Sequence, residues 1–250
     1  LVAARLADDD LAAGPRRREA ANSTESLRSC RKVTGRPHIV AIGSSTMASV
    51  LGPMLERMLK GRDVQFALWG KASTSLARPD FFDWPSKVPG IVQRHKPHVW
   101  VISLGTNDNQ PVKLRRGGAV RTDDPRWSKV FAERIDEMLE LAVGKNRERA
   151  VVWVGPYAFP GEGSRVLGRR INDLLIERIA AFPGPVFYVD AYSATLDKHG
   201  RPLTEMAVGS KKAVPIRGND GIHLKVAAVK AFLADPALQQ VENCLGRPIP

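Results

Sequence analysis

From residue 37 to about residue 235 the chain alternates short apolar runs with segments whose apolar residues recur every three or four positions. HIVAIG (38–43), DVQFALWG (63–70), HVWVISLG (98–105), AVVWVG (150–155) and PVFYVD (185–190) have the length and apolar content of buried strands. Met47, Val50, Leu51, Met54, Leu55, Met58 and Leu59 fall at helical steps, as do Val130, Phe131, Ile135, Met138, Leu139 and Ala142. Further helices are expected over 86–95, 165–181 and from Val226 to Leu233. Strand and helix alternating about five times imply an α/β chain with a parallel sheet of five strands, covered by helices on both faces. In such sheets ligands bind outside the carboxyl ends of the strands. Chemistry is therefore expected near Ser44 and Ser45, at Gly70, over 105–110 and over 156–163.

Residues 1–36 are polar, charged and aperiodic and read as an N-terminal arm, which leaves 37–250 as one domain with a C-terminal tail. At 250 residues the chain is long enough for one full hydrophobic core. No apolar run approaches the roughly 20 residues of a membrane-spanning helix. The formal net charge of +12 has denser spots at 14–20, 112–121 and 209–218. It implies either a solvated basic surface or attraction to an anionic partner: an acidic polysaccharide, a cell-envelope surface or nucleic acid. Nucleic acid is the weakest of these, for no zinc-finger spacing, RNA-binding signature or helix-turn-helix pattern is found.

Cys30 and Cys244 match no metal or redox motif and stand either as two buried thiols or as a disulfide, which would suit an oxidising compartment. The opening LVAARLADDDLAAG carries Asp8 to Asp10 where a signal peptide would be apolar, yet it starts at Leu1, which allows a leader removed earlier. Export is the expectation. No metal or other cofactor is indicated: the five histidines show no ligand spacing, and His95 with His98 reads as a surface pair.

Four short polar blocks fall at or beyond the strand ends. GSST follows the first apolar run, Gly70 closes the second, and GTNDNQ follows the third, while GNDGIHL stands before the last helix. Singly each has a plain reading, as a helix cap or a turn. Together they supply the parts of a nucleophilic site. A serine hydroxyl becomes a competent nucleophile when a histidine can take its proton. That imidazole must be held at its other nitrogen. In Asp220-Gly221-Ile222-His223, three residues of turn can fold the carboxylate back onto the ring. The backbone N–H groups of Ser45 and Gly70 and the side-chain amide of Asn107 are then candidate donors to a tetrahedral oxyanion.

These four blocks, in this order, resemble those of the SGNH hydrolases, also called GDSL-type esterases. Gly43-Ser44-Ser45 matches the family's Gly-Asp-Ser, Gly70 its second-block glycine, Gly105-Thr106-Asn107-Asp108 its Gly-x-Asn-Asp, and Asp220-Gly221-Ile222-His223 its Asp-x-x-His. The resemblance covers roughly residues 37–235. A closer one, carried by KASTSLARPDFFDWP (71–85) and Gln110, is to a bacterial branch catalogued as a domain of unknown function, whose members are commonly exported or envelope-associated.

The resemblance implies a flavodoxin-like three-layer α/β/α sandwich. It also implies an esterase acting through an acyl-enzyme, with Ser45 as nucleophile, His223 as base and then acid, and Asp220 orienting His223. Block register favours Ser45 over Ser44, which stands where the family carries aspartate. No Gly-x-Ser-x-Gly elbow of the common α/β-hydrolases is present. The expected substrate is a short acyl ester, most simply acetate on a carbohydrate or envelope glycan, with an anionic glycan suggested by the basic loops at 112–121 and 209–218. Ser44, Arg78, Asp108 and Gln110 are candidate substrate-binding residues, though Arg78 equally fits a structural ion pair. Acyl transfer to a second sugar, and a non-catalytic glycan-binding module on the same fold, are the alternatives.

Overall fold

A computed structural model describes residues 30–209 and 213–249. The basic stretch at 14–20 and residues 210–212 lie outside the described residues. Five parallel strands form the central sheet: β1 (His38–Gly43), β2 (Gln65–Gly70), β3 (Val99–Ser103), β4 (Ala150–Val154) and β5 (Val186–Val189). Their spatial order is β2-β1-β3-β4-β5, the flavodoxin-like order, whose switch point lies between β1 and β3. Gly43 is level with Gly70 on one side and with Ser103 on the other, so three strands end at one height.

The pleat of β1 divides the core. Val40 and Ile42 pack with helices α2 (Trp84–His95), α3 (Trp127–Val143) and α4 (Glu162–Ala181). Ile39 and Ala41 face the opposite layer, built from α1 (Gly52–Leu59) and α5 (Asp235–Leu245). Trp100 and Trp153 are fully buried on the first face, which explains why β3 and β4 read as apolar runs without alternation.

Two helices differ from expectation in the same way. A π-helical turn, Met47–Leu51, leads into α1, and another, Lys230–Ala234, leads into α5. Each turn is followed by one residue and then a proline, Pro53 and Pro236. Proline offers no N–H and clashes with the carbonyl four residues back. Widening the preceding turn removes that conflict, with Gly52 N–H reaching back to Met47 O and Asp235 N–H to Lys230 O. The last helix consequently runs past Leu233 to Leu245.

The basic loop after β3 contains a two-stranded hairpin, Val112–Lys113 with Ala119–Val120. Cys30 and Cys244 form a disulfide that ties the segment before β1 to the end of α5. Among the described residues, no helix is long and apolar enough to cross a membrane.

Candidate active site

Ser44 and Ser45 lie where β1 leaves the sheet. A Cβ at Gly43 would run into Ser103 O, and one at Gly70 into the backbone of Ala48, one turn into the following helix. Glycine at both positions lets that helix start directly against β2 and β3. Ser44 N–H donates to Ser103 O at 3.2 Å, which keeps its side chain inside; the residue is 1% exposed and its Oγ has no hydrogen-bond partner. One residue on, the chain turns into the helix and Ser45 becomes half-buried. The N–H groups of the helix's first turn have no partner within it.

The opposite wall is the 217–224 loop. Arg217 and Leu224 pair across it, Gly218 N–H donates to His223 O at 2.8 Å, and Gly221 supplies the turn with a φ of +67°. Asp220 closes the loop from within. Its Oδ1 accepts from the N–H groups of Ile222 and His223 at 2.9 and 3.0 Å, while Oδ2 accepts from His223 Nδ1–H at 2.7 Å. The His223 imidazole first, and then those two N–H groups, hold the Asp220 carboxyl down at about 2. An ionised Asp220 fixes the tautomer with hydrogen on Nδ1, leaving the Nε2 lone pair free. Ser45 Oγ–H lies 3.2 Å from that Nε2 and donates to it. Three residues from two distant stretches thus form one connected chain, in an open position where His223 and Asp220 side chains are 43% and 47% exposed.

Arg217, which the sequence did not single out, buttresses this loop from below by donating to Leu203 O and Ala158 O. The 156–163 segment contributes packing here, with Tyr157 and Ala158 buried.

The remaining candidates separate. Asn107 stands beyond β3, the strand next to the one that ends in the Ser44–Ser45 turn, and its Nδ2 donates to Thr74 O at 3.0 Å. The amide carries two N–H groups, so one is left over. Asp108 is 0% exposed and accepts from Ala77 N–H at 2.7 Å, which places it beneath the loop and out of reach of substrate. Burial, opposed by the N–H groups of Ala77, Leu76 and Gly105, pushes its carboxyl up to about 7. Gln110 Nε2 donates to Ser75 Oγ at 3.3 Å and to Asn107 O, so it too is engaged internally. Arg78 pairs with Asp80 through two bonds of 2.8 and 3.0 Å, the structural alternative raised by the sequence.

The 112–121 loop carries less free charge than its sequence suggests. Arg115 is bound by Asp83 and Glu137, and Arg121 by Asp123. Nor is His95 with His98 a plain surface pair. His98 Nδ1 accepts from His38 N–H at 2.9 Å, and His95 Nε2 from Trp69 Nε1–H at 3.1 Å. Among the described residues, no group of three histidine, cysteine, aspartate or glutamate side chains could hold a metal ion.

A family described as "Protein of unknown function (DUF459)" matches residues 38–240. No curated protein matches the chain by sequence. Among solved structures, the aryl esterase of M. smegmatis superposes with a TM-score of 0.55 at 14% identity, covering 83% of this chain and 100% of that one. A carbohydrate acetylesterase from Sinorhizobium meliloti gives 0.52 at 14% identity, covering 82% and 99%. A member of the lipolytic G-D-S-L family from Veillonella parvula gives 0.53 at 14% identity, covering 80% and 96%. At these identities the likeness speaks for a shared fold, that of the SGNH hydrolases.

Proposed function

The chain belongs to the DUF459 family, and we propose that it is a serine esterase that removes a short acyl group, acetyl in the simplest case, from a carbohydrate. The observation that carries this reading is the chain of contacts Ser45 Oγ to His223 Nε2 at 3.2 Å and His223 Nδ1 to Asp220 Oδ2 at 2.7 Å. In the reaction, Ser45 Oγ attacks the ester carbonyl carbon as its proton passes to His223 Nε2. Asp220 steadies the imidazolium so formed. The N–H of Ser45 and the spare amide N–H of Asn107 receive the oxyanion; the expected Gly70 N–H is turned away from β1, because its neighbour Lys71 N–H is the one that donates to Gly43 O. Collapse of the tetrahedral adduct breaks the bond to the sugar oxygen, which takes the proton from His223 to become a hydroxyl, and leaves an acyl-Ser45. Water, deprotonated by His223, then releases the carboxylic acid and restores the hydroxyl.

The open position of His223 and Asp220 suits a small acyl group on a large carrier. A neighbour named as a carbohydrate acetylesterase points to the same substrate class. The disulfide supports an exported protein, in the periplasm or outside the cell.

The test is hydrolysis of p-nitrophenyl acetate and labelling by a fluorophosphonate. Both are expected for the wild type, and Ser45→Ala should abolish labelling and lower kcat by about 10⁴-fold or more, with unchanged circular dichroism. A folded wild type that neither turns over the ester nor takes the label would overturn the reading.

A further inference from the structure

The stretch KASTSLARPDFFDWP and the side chains of Asp108 and Gln110 take no part in the acyl-transfer steps, yet they are bound to one another. Residues 74–77 are almost wholly buried, at 1%, 1%, 3% and 0% exposure. The loop beyond β3 laces onto them in three places: Asn107 Nδ2 donates to Thr74 O, Gln110 Nε2 to Ser75 Oγ, and Asp108 Oδ1 accepts from Ala77 N–H. Thr74 is fixed from its other side, donating through Oγ1 to Lys71 O at 2.7 Å and accepting there from Trp84 Nε1–H at 3.0 Å. Ala77 O accepts from Lys113 N–H at 2.8 Å. The carbonyl that aims the Asn107 amide therefore belongs to a segment whose far end is pinned by the next residue's carboxylate.

We propose that Asp108 is a positioning residue for the oxyanion donor Asn107, acting by locking residues 74–77 against the loop beyond β3. The proposal rests on the esterase reading above. Its physical content is geometric. An oxyanion donor works when held where charge develops, and a misplacement of about 1 Å can cost about 100-fold in rate. Among the described residues, Asp108 supplies the side-chain acceptor for Ala77 N–H, and it does so from a site with no access to solvent. Removing the carboxylate leaves that N–H buried and unpaired, and the segment must shift to satisfy it. Thr74 O moves with it, and Asn107 follows.

A double-mutant cycle separates this from a general role in folding. kcat and KM for p-nitrophenyl acetate are measured for the wild type, Asp108→Ala, Asn107→Ala and the double variant, each normalised to sites titrated by the fluorophosphonate. Asp108→Ala should lower kcat by about 100-fold with KM changed less than about threefold, and in the Asn107→Ala background the same substitution should cost less than about threefold. Asp108→Asn, which keeps an acceptor for Ala77 N–H, should recover most of the loss. Equal losses in both backgrounds, or a loss wholly accounted for by missing titratable sites, would overturn the proposal. Should Asp108→Ala fail to fold, the same cycle is run with Asp108→Ser, whose shorter side chain does not reach Ala77 N–H: its loss must shrink in the Asn107→Ala background, and an equal loss in both backgrounds overturns the proposal. A wild type without turnover or label defeats the esterase reading itself, a result distinct from an active wild type with an additive cycle.

Discussion

Asp108→Asn should change how stability depends on pH. Asp108 is wholly buried, its Oδ1 bound to Ala77 N–H and its Oδ2 without a partner. Burial raises its carboxyl from 3.8 to about 7, against the pull of the nearby N–H groups. Between those values the folded protein holds a proton that the unfolded chain has released. Unfolding then gives off a proton, so rising pH favours unfolding across that window, and the effect levels off above about pH 7. At about 1.36 kcal/mol for each pH unit by which a pKa moves, the wild type should lose up to about 4 kcal/mol relative to Asp108→Asn between pH 4 and pH 8. Penetrating water lowers that ceiling, and about 2 kcal/mol is a reasonable floor for a group so enclosed. Urea melts of both proteins, with the disulfide intact and tryptophan fluorescence as signal, give the difference at each pH. A difference that is flat within about 0.5 kcal/mol over this range would refute the reasoning, since only a carboxyl that titrates alike in the folded and unfolded states leaves stability independent of pH.

Three further outcomes are expected. Ser44→Ala removes a buried hydroxyl with no partner, so it should raise stability or leave it within about 1 kcal/mol while fluorophosphonate labelling of Ser45 persists; loss of labelling would show that Ser44 acts in the chemistry. His98 is held below its ordinary value by burial and then by the His38 charge, so its contribution is complete above the unfolded value of about 6.5 and fades as pH falls through the lower folded one. His98→Asn, which keeps an acceptor for His38 N–H but does not titrate, should flatten the acid limb of a stability–pH curve measured by thermal melting, and an unchanged limb would count against this. Replacing both Cys30 and Cys244 by serine, which frees a loop of 214 residues in sequence separation, should lower the unfolding free energy by about 2–5 kcal/mol in denaturant melts.

Local pattern carried the fold a long way and failed where burial decides. HIVAIG gave the observed bounds of β1 because Pro37 and the Gly-Ser-Ser turn punctuate it on both sides. The strands expected over 63–70 and 98–105 are shorter, at Gln65–Gly70 and Val99–Ser103, a difference of one or two residues at their ends even though Pro97 precedes the second as Pro37 precedes β1. The C-terminal helix runs on past the expected Leu233, through Pro236 to Leu245, because a widened turn accommodates the proline and leaves no mark in composition. Asp220 and His223 could be paired from sequence because the contact spans three residues. Asp108 and Gln110 could not be distinguished from substrate ligands, since their partners Ala77 and Ser75 lie more than 30 residues away. Charge was misleading for a similar reason: Arg115 meets Asp83 only when the loop beyond β3 folds over α2.

Ser44 and Ser45 show how little separates a structural hydroxyl from a candidate nucleophile. Both sit in one turn, and both carry the same group. What divides them is a single bond: Ser44 N–H continues the ladder to Ser103 O, so its side chain points with the sheet into the core. Ser45 is the first residue released from that ladder, and its Oγ meets His223 across 178 residues of sequence. Aspartate at position 44 would bring a charge into a site that offers the serine Oγ no partner at all, a cost of several kcal/mol unless the surroundings were rebuilt to pair it. Serine at that position is thus consistent with its packing, and the chemistry of the turn need not depend on a carboxylate there. The departure from the usual Gly-Asp-Ser is a change in the support beneath the Ser44–Ser45 turn, while the contact that makes Ser45 a candidate nucleophile is supplied wholly by the Asp220–His223 loop.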